Sequence, residues 1–94
     1  MNKYESVIII NPNLEEEQRK ELITKVETLI NDNGKVTKID EIGKKKLAYE
    51  IQKCKEAFYV VFYFEAEAPF IAELERNFRI TEEVLKFMTV KKDD

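Results

Sequence analysis

The sequence contains no histidine and no tryptophan, and it has only two glycines, two prolines and one cysteine. Without histidine the chain lacks the side chain that most often transfers protons near neutral pH, so histidine-dependent catalytic triads are excluded. The commonest nitrogen ligand of transition metals is missing for the same reason. The glycines, Gly34 and Gly43, stand in unlike surroundings, so no glycine-rich loop is present that could cradle a phosphate. We therefore predict that the protein is not an enzyme and uses no metal or cofactor.

Long hydrophobic runs and cysteine pairs are also absent. No apolar segment is longer than a strand or a short helix, so we expect no membrane span, and the amino-terminal residues MNKYES lack the apolar core of a secretory signal. The single cysteine, Cys54, allows no internal disulfide, which agrees with a reducing compartment. These features predict a cytoplasmic protein with a single domain over residues 1–94, ending in a short frayed tail over residues 91–94.

Positive charge is unevenly distributed along the chain. The formal net charge of −3 is unusual for a nucleic-acid-binding protein, which ordinarily neutralises phosphates with a basic surface. Residues 33–55, however, carry seven lysines against three acidic residues, whereas residues 14–32 and 65–94 each carry an excess of three negative charges. The overall charge therefore conceals a basic segment in the middle of the chain.

The hydrophobic pattern predicts four strands and two helices. Asn11-Pro12 ends a first strand that is rich in β-branched residues, because proline disfavours helix in the residue before it. Asn13 can cap the helix that follows, and Glu16, three positions on, completes a capping-box-like arrangement. Gly43 breaks the second strand into two extended parts. Helices are predicted over residues 14–33 and 69–78, and strands over residues 3–11, 35–42 with 44–52, 58–68 and 85–90.

The order strand, helix, strand, strand, helix, strand predicts the fold class. It matches the split βαβ arrangement of an α+β ferredoxin-like sandwich, in which two helices cover one face of a four-stranded antiparallel sheet. The first and third strands are central in this topology, which agrees with their being the two most apolar. The lysine-bearing second strand then lies at an edge, where lysine discourages pairing with other chains.

The stretch FYVVFYF, residues 58–64, has seven consecutive apolar or aromatic residues and no polar alternation. Successive side chains of a strand point to opposite faces, so one set packs under the helices and the other joins Val7 and Ile9 on the face that no helix covers. A contiguous exposed apolar patch on a soluble domain usually marks an interaction site. The alternative is that lysine stems or loop residues of the same chain cover the patch.

A lysine-rich segment, GKKKLAYEI, is the first candidate for phosphate contact. It places Lys44, Lys45 and Lys46 in a loop followed by Tyr49, which suits contact with phosphates and with a nearby base or ribose. The alternative is a solvated hairpin arm whose lysines keep an edge strand from aggregating.

A second basic cluster depends on the topology. Lys3 begins the first strand, and Lys91 and Lys92 follow the fourth, so these lysines meet at one end of the sheet if the two strands are antiparallel neighbours. The alternative is that they are ordinary charges that keep strand ends soluble.

Three blocks of the sequence occur in an order and spacing that resemble one known family. They are YESVIIINPNL near the amino terminus, GKKKLAYEIQK in the middle and RITEEVLKFMTVK near the carboxyl terminus. Through these blocks, the chain resembles the bacterial small-subunit ribosomal proteins of the S-six family from Tyr4 to Lys92.

The resemblance implies a structural constituent of the small ribosomal subunit with a ferredoxin-like fold. It also implies that the protein pairs with the ribosomal protein of the S-eighteen family and binds the central domain of small-subunit ribosomal RNA. The second strand and the uncovered sheet face look like the partner's seat, and the basic residues look like RNA contacts. The RNA-binding residues implied are Lys3, Lys44, Lys45, Lys46, Tyr49, Lys91 and Lys92, and the partner-binding residues are Val7, Ile9, Leu47, Phe58, Val60 and Phe62.

Two other classes of function compete with this interpretation. The first is a small regulatory or oligomerising domain of the same fold that binds a ligand or a protein on its uncovered sheet face; a tight homodimer without ribosome association would favour it. The second is an acylphosphatase-like hydrolase, which requires an anion-cradling loop with arginine near the first strand. Residues 11–17, NPNLEEE, are acidic at that place, so the hydrolase is disfavoured.

Overall fold

The computed structural model describes residues 1–51 and 53–92. The elements in chain order are β1 (Asn2–Ile10), α1 (Glu16–Asn33), β2 (Gly34–Ile51), β3 (Cys54–Ala66), α2 (Ala68–Ile80) and β4 (Val84–Lys92). The strands form one sheet in the order β2-β3-β1-β4, every neighbouring pair is antiparallel, and both helices pack on the same face. The predicted α+β ferredoxin-like sandwich, with the first and third strands in the centre, is confirmed.

Alternate residues of the central strands form the floor of the hydrophobic core. On β1 the even-numbered residues from Tyr4 to Ile10 are buried, while Glu5, Val7 and Ile9 between them are half-buried. This is the period of two that a strand imposes when only one of its faces is covered. Residues directly opposite on β3 share the same face, and Phe64, opposite Tyr4, stacks on it with ring centroids 5.7 Å apart.

The two helices cover this floor through apolar stripes at helical spacing. The side chain of Ser6 on β1 is also buried in the floor of the core. Its hydroxyl lies 2.7 Å from that of Thr89, so this buried polar group has a hydrogen-bond partner. The buried helix residues are Leu22, Ile23, Val26 and Ile30 on α1 and Phe70, Leu74 and Phe78 on α2.

Helix α1 begins two residues later than its predicted start. The Asn11 side chain accepts a hydrogen bond from the Asn13 backbone N–H at 2.9 Å, which turns the chain before the helix and leaves Asn13 outside it. Glu15 is the residue at the N-cap, and its backbone N–H donates to Gln18 Oε1 at 3.2 Å. The predicted Asn13 cap is therefore wrong, because the Asx turn at Asn11 takes its place.

β2 and β4 are longer than the sequence pattern indicated, and β3 begins four residues earlier, at Cys54. β2 continues through Gly43, whose φ of 102° lies in the left-handed region that glycine adopts without strain, so the predicted break is a bend within one strand. β4 includes Lys91 and Lys92, which the prediction had assigned to a frayed tail. They pair with Tyr4 and Lys3 of β1, and this pairing holds them in the sheet. The rest of that predicted tail, residues 93 and 94, lies outside the described residues.

We predict that Leu74→Ala lowers the free energy of unfolding by about 2–5 kcal/mol, because Leu74 of α2 is fully buried and the substitution leaves a cavity. Ile80→Ala on the same helix is the control, and its cost is expected to stay below about 1 kcal/mol because Ile80 is exposed. Urea unfolding monitored by circular dichroism measures both. Equal costs at the two positions would contradict the assignment of the core.

Candidate functional site

The sheet face opposite the helices is called the open face here. Strand registers place on it the odd-numbered residues of β1 and β3 and their cross-strand neighbours, because directly opposite residues of antiparallel strands share a face. The residues of the open face are Lys3, Glu5, Val7, Ile9, Lys35, Lys38, Asp40, Gly43, Lys45, Ala57, Tyr59, Val61, Tyr63, Glu65, Lys86, Met88, Val90 and Lys92.

Three of the predicted partner-binding residues do not lie on the open face. Val60 and Phe62 are part of the helix-covered core, where Phe62 is 0% exposed, and Phe58 is packed against that core with the Arg19 guanidinium 4.0 Å from its ring centroid. The placement of Phe58, Val60 and Phe62 on the uncovered face is therefore wrong. In FYVVFYF every position is apolar, so the sequence does not show which alternate side chains face the helices. The register with β1 decides this.

The remaining partner-binding candidates have two different locations. Val7 and Ile9 lie half-buried on the open face, at its centre. Leu47 is half-buried beyond the end of the sheet and lines a cleft with residues of the lysine-rich segment. Contact with a partner stays a prediction for these three residues.

The open face combines an apolar centre with lysines toward both edges. Val61 is only 4% exposed although no helix covers it, so part of the predicted apolar patch is sealed by the chain itself. The patch opens toward β4, where Met88 is 59% exposed and Val90 is also exposed. On the β2 side, Lys38 Nζ lies 5.7 Å from the ring centroid of Tyr63, a cation–π distance. The face therefore presents aliphatic and aromatic surface bordered by positive charge.

Residues 44–51 and 53–56 form a hairpin that extends past the end of the sheet, called the hairpin arm here. The ladder continues from Gly43 to the pair Lys46 and Glu56, and the next registered pair is Ile51 with Cys54. Residues 47–50 therefore face only one residue of β3, Lys55, and such an imbalance bends and twists a hairpin.

The bent arm encloses a cleft of about 610 Å³ next to the loop that follows β1. Lys44 and Glu56 form an ion pair across the arm at 3.6 Å. The structure thus brings Lys44, Lys46 and Tyr49 together, as the RNA-binding prediction supposed, whereas Lys45 does not line the cleft. The lining residues are Pro12, Asn13, Lys44, Lys46, Leu47, Tyr49, Glu50, Lys53, Cys54, Lys55 and Glu56.

Lys86 of β4 contacts the hairpin arm through Tyr49. Its Nζ donates a hydrogen bond to the Tyr49 hydroxyl at 2.9 Å and lies 5.5 Å from the centroid of the ring. This hydrogen bond raises the pKa of Lys86 above its usual value. The residues are 37 positions apart, and sequence reasoning missed the contact because no local pattern relates an edge strand to a hairpin on the opposite side of the sheet.

The second predicted basic cluster is divided between the two sheet faces. Lys3 and Lys92 are directly opposite on the open face, whereas Lys91 is opposite Tyr4, whose side chain faces the helices. Lys92 Nζ donates to Glu5 Oε2 at 2.7 Å, and this hydrogen bond raises the pKa of Lys92. Glu5 therefore partly offsets the positive charge at this corner.

The described residues contain neither a metal-binding cluster nor a membrane-spanning helix. Within residues 1–51 and 53–92, no group of three or more cysteine, aspartate and glutamate side chains could hold a metal ion. Neither helix in this part of the chain has the length and apolar character needed to cross a membrane.

Comparison with known proteins gives a consistent result. The profile of the family described as ribosomal protein S6 matches residues 3–91. The small ribosomal subunit protein bS6 of Heliobacterium modesticaldum is 41% identical over 95 residues, covering 100% of this chain and 99% of that protein. The bS6 protein of Shouchella clausii is 44% identical over 92 residues, which are 97% of each protein.

A solved structure agrees with the sequence relatives. The crystal structure of 30S ribosomal protein S6 from Thermotoga maritima is similar with a TM-score of 0.92 and 38% sequence identity, covering 97% of this chain and 87% of that one. The profile match, the full-length relatives and the common fold together show that the chain belongs to the ribosomal protein S6 family.

Proposed function

We propose that the chain is a structural constituent of the small ribosomal subunit, acting in the cytoplasm, and that it binds the central domain of small-subunit ribosomal RNA together with a ribosomal protein of the S-eighteen family. Its membership of a family whose relatives are named as small-ribosomal-subunit proteins is the observation that carries the proposal. These names describe ribosomal proteins and no enzyme, in agreement with the prediction from composition.

The hairpin arm is the proposed RNA-binding surface. Lys44, Lys45 and Lys46 are exposed on it, and Lys53 is exposed at its tip. Flexible lysines of this kind neutralise phosphates without reading a sequence, and the largely exposed ring of Tyr49 offers a surface for a base or ribose. Lys3 and Lys92 form a weaker second contact, because Glu5 competes with phosphate for Lys92.

The open face is the proposed binding surface for the S-eighteen family partner. Val7 and Ile9 line its centre, and the exposed side chains of Met88 and Val90 extend the apolar surface to the β4 edge. Burial of exposed apolar side chains contributes roughly 25 cal/mol per Å², so a partner that covers this surface gains from the hydrophobic effect. The residues involved differ from those of the core floor, so docking requires no rearrangement of the helices.

The net charge favours binding as a pair. With a formal charge of −3, the isolated chain neutralises few phosphates and is repelled by the remainder of the RNA backbone. A basic partner seated on the open face would add phosphate contacts beside those of the hairpin arm. Protein docking and RNA binding then occupy neighbouring surfaces of the same sheet.

We expect the isolated chain to bind a fragment of the RNA central domain weakly, and the chain with its S-eighteen family partner to bind at least about tenfold more tightly, because affinity depends steeply on the number of neutralised phosphates. A gel-shift titration at fixed salt measures both. Equal affinity of the chain and the pair would contradict the proposal.

Reversing the charge of the arm, with Lys44→Glu, Lys45→Glu and Lys46→Glu combined, is expected to weaken RNA binding by the pair at least about tenfold and to lower its salt dependence. Incorporation of the variant into small subunits, measured by mass spectrometry, should fall in parallel.

The matched control for the arm variant changes the same amount of charge on the helix layer, with Lys20→Glu, Lys25→Glu and Arg76→Glu combined. All three of these side chains are exposed on α1 or α2. If both variants bound RNA equally, the loss of RNA affinity would come from net charge alone, and the arm would not be the RNA-binding surface.

Met88→Glu is expected to weaken association with the S-eighteen family partner at least about tenfold, since it puts an unpaired charge into an interface that excludes water. Isothermal titration calorimetry measures the affinity, and Ile80→Glu on the outer end of α2 is the control. Unchanged affinity for Met88→Glu would contradict the proposal that the partner binds the open face. A tight homodimer that Met88→Glu dissociates would instead support the oligomerising domain.

A further inference from the structure

The hairpin arm receives little support from the sheet over part of its length. After the pair Lys46 and Glu56, the ladder resumes only at Ile51 and Cys54, so residues 47–50 have no registered partner on β3. A hairpin of two strands is marginally stable by itself in water. The ladder holds Lys44, Lys45 and Lys46 at the base of the arm, so another contact is needed only if the outer part of the arm is to keep a defined position.

The contact between Lys86 and Tyr49 lies at the far end of a row of residues that crosses the sheet. The registers pair Gly43 with Tyr59, Tyr59 with Ile9, and Ile9 with Lys86, so the row runs from β2 to β4. The arm leaves the sheet at Gly43, and its Tyr49 meets Lys86 at the opposite end of this row. Three strand spacings separate the ends by about 14 Å, a distance bridged by the bend of the arm and the two long side chains.

The burial of Ala57 shows that the arm bends toward the open face. Ala57 alternates with Tyr59 and Val61 on that face, where no helix covers it, and yet it is 0% exposed. Its registered neighbour is Lys45, at the base of the arm. This burial agrees with the contact of Tyr49 with Lys86, which carries the arm over the open face.

We propose that Lys86 and Tyr49 form a latch that holds the hairpin arm folded across the end of the open face, and that Lys86 is thereby a positioning residue for the outer part of the arm, which carries Tyr49 and Lys53. The hydrogen bond at 2.9 Å, donated by Lys86 Nζ to the Tyr49 hydroxyl, gives the contact its direction. For its consequence in RNA binding the latch rests on the proposed function. The closure of the arm itself does not depend on RNA.

The latch also connects the two proposed binding surfaces. Lys86 is directly opposite Ile9, which lines the centre of the open face, and it is two residues from Met88 at the exposed edge. A protein bound to this face shields the latch from water, and shielding strengthens its hydrogen bond. Docking of the partner therefore favours the closed arm, so the outer part of the arm is ordered before RNA is bound.

Native-state hydrogen exchange of the isolated chain tests the latch directly. In Lys86→Met the amides of residues 45–50 are expected to exchange about threefold faster or more, the size of effect expected from the loss of one hydrogen bond, while amides of β1 stay unchanged. Tyr49→Phe, which keeps the ring and loses the hydroxyl, is expected to give a similar acceleration, because the hydroxyl accepts the hydrogen bond. Lys86→Met combined with Tyr49→Phe should match Lys86→Met alone, because both substitutions remove the same contact.

Lys35→Met is the matched control, since it removes the same charge from another strand of the open face at the end of β2 far from the arm. Unchanged exchange of residues 45–50 in Lys86→Met, or equal acceleration in Lys35→Met, would overturn the latch. RNA binding by the chain with its partner is measured on the same variants. If exchange changed in Lys86→Met but the wild-type pair bound no RNA, the latch would be supported and the proposed function rejected. If the wild-type pair bound RNA but exchange in Lys86→Met was unaltered, the proposed function would be supported and the latch rejected.

Discussion

The covering of only one sheet face by the two helices is the constraint on which the other features depend. It makes the even-numbered residues of β1 and β3 a closed core and leaves the odd-numbered ones, such as Val7 and Ile9, at a surface. Because the side-chain period of a strand is two, a shift of one residue would exchange the two sets entirely. The same alternation thus supplies the stability of the domain and an apolar surface for another molecule.

The distribution of charge divides the remaining surface between two tasks. The helices and their connections carry most of the acidic residues, while the hairpin arm gathers lysines at the end of the sheet. A small domain with a net charge of −3 can offer a basic surface to a polyanion only if its cations are collected in one place. The long β2 and the bend after Gly43 provide that place, and the contact between Lys86 and Tyr49 relates it to the open face.

The element order, the fold class and the central position of the two apolar strands could be predicted from the sequence, because local patterns and chain topology decide them. The phase of FYVVFYF could not, since an unbroken apolar run fits either face, and Phe58, Val60 and Phe62 were assigned to the wrong one. The start of α1 was misplaced because an Asx turn at Asn11 and a cap at Asn13 use similar residues. The partnership of Lys86 with Tyr49 depends on tertiary bending of the arm, which no local spacing encodes.

The central claim is that the open face, and not the helix layer, receives the protein partner. Cross-saturation NMR, with the chain deuterated and the S-eighteen family partner protonated, maps the atoms in direct contact. The account predicts the largest signal losses at Val7, Ile9, Met88 and Val90 and none on the outer faces of α1 and α2. Losses confined to the helices, with the open face unaffected, would contradict it.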